Sequence, residues 1–124
     1  MRASVLLLSS KPDREDIAKK MRGFGVEVFE VSDCESAFRL AFGDDWTAVI
    51  VETQLAEQHL GWEFIAALQN RSSNCPEFIL LCDTPIDMEP QAELQERYGV
   101  TGFLERPLND PRKLRSLLRT YKII

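Results

Sequence analysis

The sequence predicts an α/β fold in which five parallel strands form a doubly wound sheet with helices on both faces. Three observations lead there. Short, almost continuous apolar runs recur five times, as in strands buried on both faces. Segments of helical period lie between them, so each strand reaches the next through a crossover helix. The connections are short, and right-handed crossovers then constrain the chain to a doubly wound sheet.

The strand runs are residues 5–8, 26–31, 48–51, 78–81 and 102–104, each rich in Val, Ile, Leu or Phe. The first helix is expected from Pro12, which is tolerated at a first helical position, with Ile17, Met21 and Phe24 as its stripe and Gly25 as its end. Ser32-Asp33-Cys34-Glu35 reads as a capping box opening the second helix, which turns Ala37, Leu40 and Ala41 inward. Phe64, Ile65 and Leu68 mark a third helix over 61–70. A fourth, over 90–98, has only Leu94 and Tyr98 as clear apolar positions. The fifth is the best marked: Asp110 caps it, Pro111 is its first residue, and Leu114, Leu117, Leu118 and Tyr121 make its stripe.

At 124 residues this is one domain, residues 1–124, long enough to bury roughly two-thirds of its unfolded surface. A 44% hydrophobic and 28% charged composition is that of a soluble globular chain. No apolar stretch approaches the ~20 residues of a membrane span. The run at 5–8 is too short for a signal peptide and lacks a cleavage site. Cys34, Cys75 and Cys82 are odd in number and widely spaced, which favours neither disulfides nor zinc and points to a reduced cytosol. Residues 1–105 hold 9 basic and 19 acidic side chains, whereas 106–124 hold 6 basic and 1 acidic. The acidic balance argues against nucleic acid as a direct partner.

In doubly wound sheets ligands and chemistry sit beyond the carboxyl ends of the strands. Ser9, Ser10, Glu52, Cys82 and Arg106 all fall there. Gly25-Val26-Glu27-Val28, Gly61-Trp62-Glu63-Phe64 and, most specifically, the segment Gly99 to Leu108 (GVTGFLERPL) carry a resemblance. Across its whole length the chain resembles the receiver domain of bacterial response regulators. The resemblance implies a flavodoxin-like sheet of order 2-1-3-4-5, a cis bond before Pro107, and Phe103 at the position of a rotating aromatic switch. It also implies that Glu52 stands where the family carries its phosphorylatable aspartate. Ser9 and Ser10 stand where an acidic pair holds Mg²⁺, Cys82 at the strand-four hydroxyl, and Arg106 at the strand-five lysine. The loop before Gly61 is one residue longer than usual, with Ala56 in place of a proline.

Two hydroxyls cannot replace two carboxylates as Mg²⁺ ligands. One carboxylate at Glu52 opposed by Arg106 makes a near-neutral site; Asp13 or Asp83 lying nearby would restore some charge, an arrangement not expected here. Without the metal, phosphoryl transfer loses its main stabiliser of developing charge. Glutamate also moves the carboxylate one methylene outward. The expectation is a phosphorylation-lacking, non-enzymatic signalling module with no cofactor and no metal, working through a protein partner or output domain. Glu52 then either mimics a phosphoaspartate, met by the two-pronged donors of Arg106, or the two merely satisfy each other. Either way they are expected to touch.

The rival from another class is a flavodoxin-like small-molecule or nucleotide binder with a sizeable pocket at the switch point. Ser9-Ser10-Lys11 lacks the glycines that would cradle a phosphate. His59, the single histidine, reads as a surface-loop residue, Cys82 as a small buried one, and Trp46 and Trp62 as packing residues. Finally, helix four and its approach carry Asp87, Glu89, Glu93 and Glu96, and helix five carries Arg112, Lys113, Arg115, Arg119 and Lys122; in a receiver-like fold the two would share one exposed face. A two-fold dimer through helix four, strand five and helix five would set acid against base. The alternatives are a solvated surface, neutralisation within one chain, or a basic helix kept for an anionic partner.

Overall fold

The computed structural model describes residues 3–43, 46–55, 60–69, 76–84 and 86–124. Ala56, His59 and Cys75 lie outside them. Five strand–helix units follow one another: β1 (Ser4–Leu8), α1 (Arg14–Arg22), β2 (Glu27–Val31), α2 (Cys34–Gly43), β3 (Ala48–Glu52), α3 (Gly61–Gln69), β4 (Glu77–Cys82), α4 (Met88–Tyr98), β5 (Gly102–Glu105) and α5 (Pro111–Thr120). All pairings are parallel, in the order β2-β1-β3-β4-β5. This is the doubly wound flavodoxin-like sheet expected.

Alternation along the strands divides the core into two layers. Val5, Leu7, Ile50, Ile79, Leu81 and Leu104 pack on Ile17 and Met21 of α1 and Leu114 and Leu118 of α5. Leu6, Leu8, Val49, Val51, Phe78 and Leu80 pack on Ala37 of α2 and on Phe64, Ile65 and Leu68 of α3. Of the described residues of α4, none is buried; Leu94 and Tyr98 only partly cover this second layer.

Several helix ends differ from expectation. α1 starts at Arg14, and its cap position, Asp13, makes no capping bond. That carboxylate is engaged elsewhere, as described below. Gly25, expected to end the helix, instead carries a left-handed turn (φ 86°) into β2. Asp33 rather than Ser32 caps α2: its Oδ2 accepts the Ser36 N–H at 2.9 Å. Glu35 pairs with Arg39 instead of reaching back. α4 begins two residues before Pro90. Asp110 and Pro111 open α5 as expected, Asp110 accepting the Arg112 N–H at 3.0 Å.

Candidate functional site

Glu52 closes β3 and is fully buried, at 0% exposure. It shares its side of the sheet with Ala48 and Ile50, the side covered by α1 and α5. Gly61 holds the chain close behind it: a Cβ there would lie 2.1 Å from the Glu52 carbonyl oxygen. Only glycine allows that approach. The Gly61 N–H donates to the Thr53 carbonyl at 3.0 Å, closing the loop on itself.

A buried carboxylate needs partners, and this one has three hydrogen-bond donors and a nearby ammonium. Ser9 Oγ donates to Oε1 at 3.0 Å. Arg106 Nη1 donates to Oε2 at 3.0 Å while Nη2 donates to Oε1. Lys11 Nζ stands 3.6 Å from Oε2. Arg106 also forks onto Asp13, Nε to Oδ2 at 2.6 Å and Nη2 to Oδ1 at 2.9 Å. Its Nη1 donates to Asp83 Oδ1 at 3.0 Å. A guanidinium has five N–H groups, and these five bonds use them all. A lysine ammonium, with three donors on one point, could not. Lys11 Nζ completes the cluster on Asp83.

Charge follows from this arrangement. The Arg106 guanidinium, foremost through its hydrogen bonds, holds the Asp13 carboxyl below its usual range. Lys11 does the same for Asp83. Glu52 and then Asp13 push the Arg106 pKa further up. Three carboxylates meet two cations, so the site is more acidic than the single carboxylate–arginine pair expected from sequence.

Glu52, Ser9 and Arg106 come together as expected, and the bond before Pro107 is cis. Ser10 does not join them; it is exposed, with no side-chain bond to any described residue. Cys82 is a correction. Glu52 stands in register with Leu81, so alternation sends Cys82 to the opposite face and Asp83 back to the Glu52 side. Cys82 is buried against the α2–α3 layer, its thiol pushed up to about 11 chiefly by burial, and its Sγ lies 3.7 Å from the Leu80 carbonyl. Asp83, not Cys82, is the strand-four member of the site. Asp13 and Asp83, weighed from sequence but not expected to lie here, both join the site; a β4 alternation count and the capping position of α1 were the available signals.

These donors do not fit Mg²⁺. The Ser9 hydroxyl donates to Glu52 rather than offering it a shared cation, and both Glu52 oxygens are occupied. A hard divalent ion needs freely presented oxygens in near-octahedral array, and here it would first have to strip Arg106 from three carboxylates. Among the described residues no group of three or more His, Cys, Asp or Glu side chains is arranged to hold a metal ion.

At the other end of β5 a tyrosine does what sequence did not suggest. The Phe103 N–H donates to the Tyr121 hydroxyl at 2.9 Å, and that hydroxyl donates to the Phe103 carbonyl at 2.9 Å. The ring lies over Gly102, where a Cβ would come within 2.2 Å of it. Tyr121 thus satisfies the open edge of β5 in place of a sixth strand. Phe103 itself is half-buried against the α2–α3 layer.

No family model and no curated protein matches the chain. Solved structures do. The Vibrio cholerae chemotaxis protein CheY4 superposes with a TM-score of 0.85 at 22% identity, covering 98% of this chain and 99% of that one. A signal receiver domain of an HD domain-containing protein from Pseudomonas fluorescens gives 0.81 at 20%, covering 98% and 95%. The receiver domain of the Pseudomonas aeruginosa sensor histidine kinase PA1611, solved with magnesium in its active-site cleft, gives 0.76 at 21%, covering 98% and 99%. The chain therefore has the receiver fold.

Proposed function

We propose that this chain is a pseudo-receiver: a signalling module of the two-component type that acts by protein–protein contact and is not switched by aspartyl phosphorylation. One observation carries the reading. The carboxylate at the acceptor position is buried and already bonded by Arg106, Ser9 and Lys11, so it has neither a free oxygen to act as nucleophile nor a metal site beside it. A guanidinium held across Glu52, Asp13 and Asp83 supplies the charge pairing that a phosphoryl group and its cation supply elsewhere. The domain then has one state where a receiver has two, and it works as a fixed docking unit in the cytosol rather than as an enzyme. Its partner is an output domain, another protein, or a second copy.

The α4–β5–α5 face supports the last of these. Glu89, Glu93, Glu96, Arg112, Arg115 and Arg119 are all exposed. Among the described residues no ion pair joins α4 to α5; Glu93 pairs with Arg97 on its own helix. The test of the main reading is incubation with acetyl phosphate and millimolar Mg²⁺, followed by intact-mass measurement. The expected result is an unmodified protein, and a phosphoprotein that reverts on hydrolysis would overturn the proposal.

A further inference from the structure

A cavity of about 600 Å³ lies between α3, α4 and the carboxyl ends of β3 and β4. It is not at the β1–β3 switch point, where a flavodoxin-like binder was expected to have its pocket. It lies mainly on the α3–α4 side of the sheet and shares Asp83 with the Glu52 site. Its volume is in the range of small-molecule sites, which pair an apolar wall with a few polar groups. Here the wall includes Trp62 and Tyr98, whose ring centroids are 6.5 Å apart and inclined at 57°. Leu94 of α4 adds to it. Thr53 and Thr84 also line it, and neither hydroxyl makes a hydrogen bond with any described residue.

α4 covers this space without burying any of its described residues. That is unusual for a helix laid on a sheet, since helices gain most of their stability by packing an apolar face. A molecule in the cavity would complete that packing. Charge selects its kind. Among the described residues lining the cavity, the charged side chains are Asp83 and Glu93, both acidic. An anionic ligand, a nucleotide included, would meet repulsion. Asp83 is committed to Arg106 and Lys11, but Glu93 is held only by an exposed pair with Arg97, worth a few tenths of a kcal/mol in such helices, about 0.2–0.5. It is free to exchange partners.

We propose that the cavity binds a flat aromatic molecule of one or two rings bearing a single positive charge. The ring lies against Trp62 and Tyr98, the Thr53 and Thr84 hydroxyls take its polar edge, and Glu93 takes the cation. Aromatic faces themselves favour a cation. This goes beyond the signalling reading and does not rest on it.

The probes are three indoles of matched ring and different charge: tryptamine, indole and indole-3-acetate, titrated into ¹⁵N-labelled protein. The expected result is saturable shifts at the Trp62 indole N–H and the Thr53 and Thr84 amides. Tryptamine should bind at least about tenfold more tightly than indole-3-acetate, the size of one cation–aromatic contact plus its charge term. Glu93→Gln should remove most of that preference while leaving indole unaffected, and Glu93 is exposed enough that the fold is not at stake. Trp62→Ala should abolish binding by all three; Thr84→Val, at an exposed site, checks the same cavity without touching the packing. Absence of saturable shifts at millimolar probe, binding of indole-3-acetate as tight as tryptamine, shifts centred elsewhere, or a Glu93→Gln protein with unchanged preference would each overturn the proposal. None of these outcomes bears on phosphorylation, which is read at Glu52.

Discussion

The carboxyl end of the sheet and the outer face of α4 and α5 use similar charged residues in opposite ways. At Glu52 every charge has a fixed partner: one guanidinium serves three carboxylates, and among the described residues no buried side-chain N or O is left without a bond. On α4 and α5, Glu89, Glu96, Arg112, Arg115 and Arg119 take part in no ion pair with any described residue. The first arrangement costs desolvation and returns it only through exact geometry, so it fixes structure. The second costs nothing to expose and steers association.

The contrast is sharpest in what removing one residue does. Arg106→Gln strands the buried Glu52 carboxylate and should cost about 3–5 kcal/mol, as breaking buried pairs does. Urea unfolding at neutral pH measures it, and a loss of the size seen for exposed pairs would erase the distinction between the two regions. The same network sets an acid limit. Asp13 and Asp83 have folded pKa values below the ordinary 3.8. Their contribution is therefore complete above 3.8 and disappears as pH falls through the lower folded values. Unfolding midpoints followed from pH 5 to pH 2 should drop in the wild type and drop less in Arg106→Gln.

Tyr121→Phe tests the junction between the regions. It deletes both bonds to the Phe103 backbone and should cost about 1–3 kcal/mol, at about 0.5–1.5 for each bond. Amide exchange at Phe103 should accelerate; unchanged protection would mean the hydroxyl does not hold the edge. The smallest stability effect belongs to the outer face. Reversing Arg115 and Arg119 to Glu should leave unfolding within about 0.5 kcal/mol of wild type yet abolish, in sedimentation equilibrium, the salt-sensitive dimer proposed for this face. A monomer before reversal, at high micromolar concentration in low salt, would discard the dimer.

How much of this was legible depended on the period being read. Continuous apolar runs such as 48–51 mark buried strands directly, and the fold followed. Glu52 and Arg106 were found because both stand immediately at strand ends. Cys82 was misplaced because strand alternation is a period of two: one residue of uncertainty in the end of β4 exchanges Cys82 for Asp83. Asp13 was not expected in the site because its role depends on α1 starting at Arg14 rather than Pro12, and no periodicity sets a helix start to within two residues. Tyr121 read as one more apolar position of the α5 stripe; nothing in a helical pattern says that its hydroxyl meets a strand edge. The unburied state of α4 was foreshadowed by its sparse apolar positions, Leu94 and Tyr98.

The central claim is that Glu52 and Arg106 are one buried unit occupying the place of a phosphoryl switch. A double-mutant cycle of Glu52→Gln and Arg106→Gln tests it most directly, read by equilibrium unfolding at neutral pH. The account predicts a coupling of about 2–3 kcal/mol, the upper range for residues in one network. It also predicts that Arg106→Gln costs more than Glu52→Gln, because Arg106 keeps Asp13 and Asp83 when Glu52 is neutralised while Glu52 loses its main partner in the reverse case. Effects that add to within about 0.5 kcal/mol would contradict it.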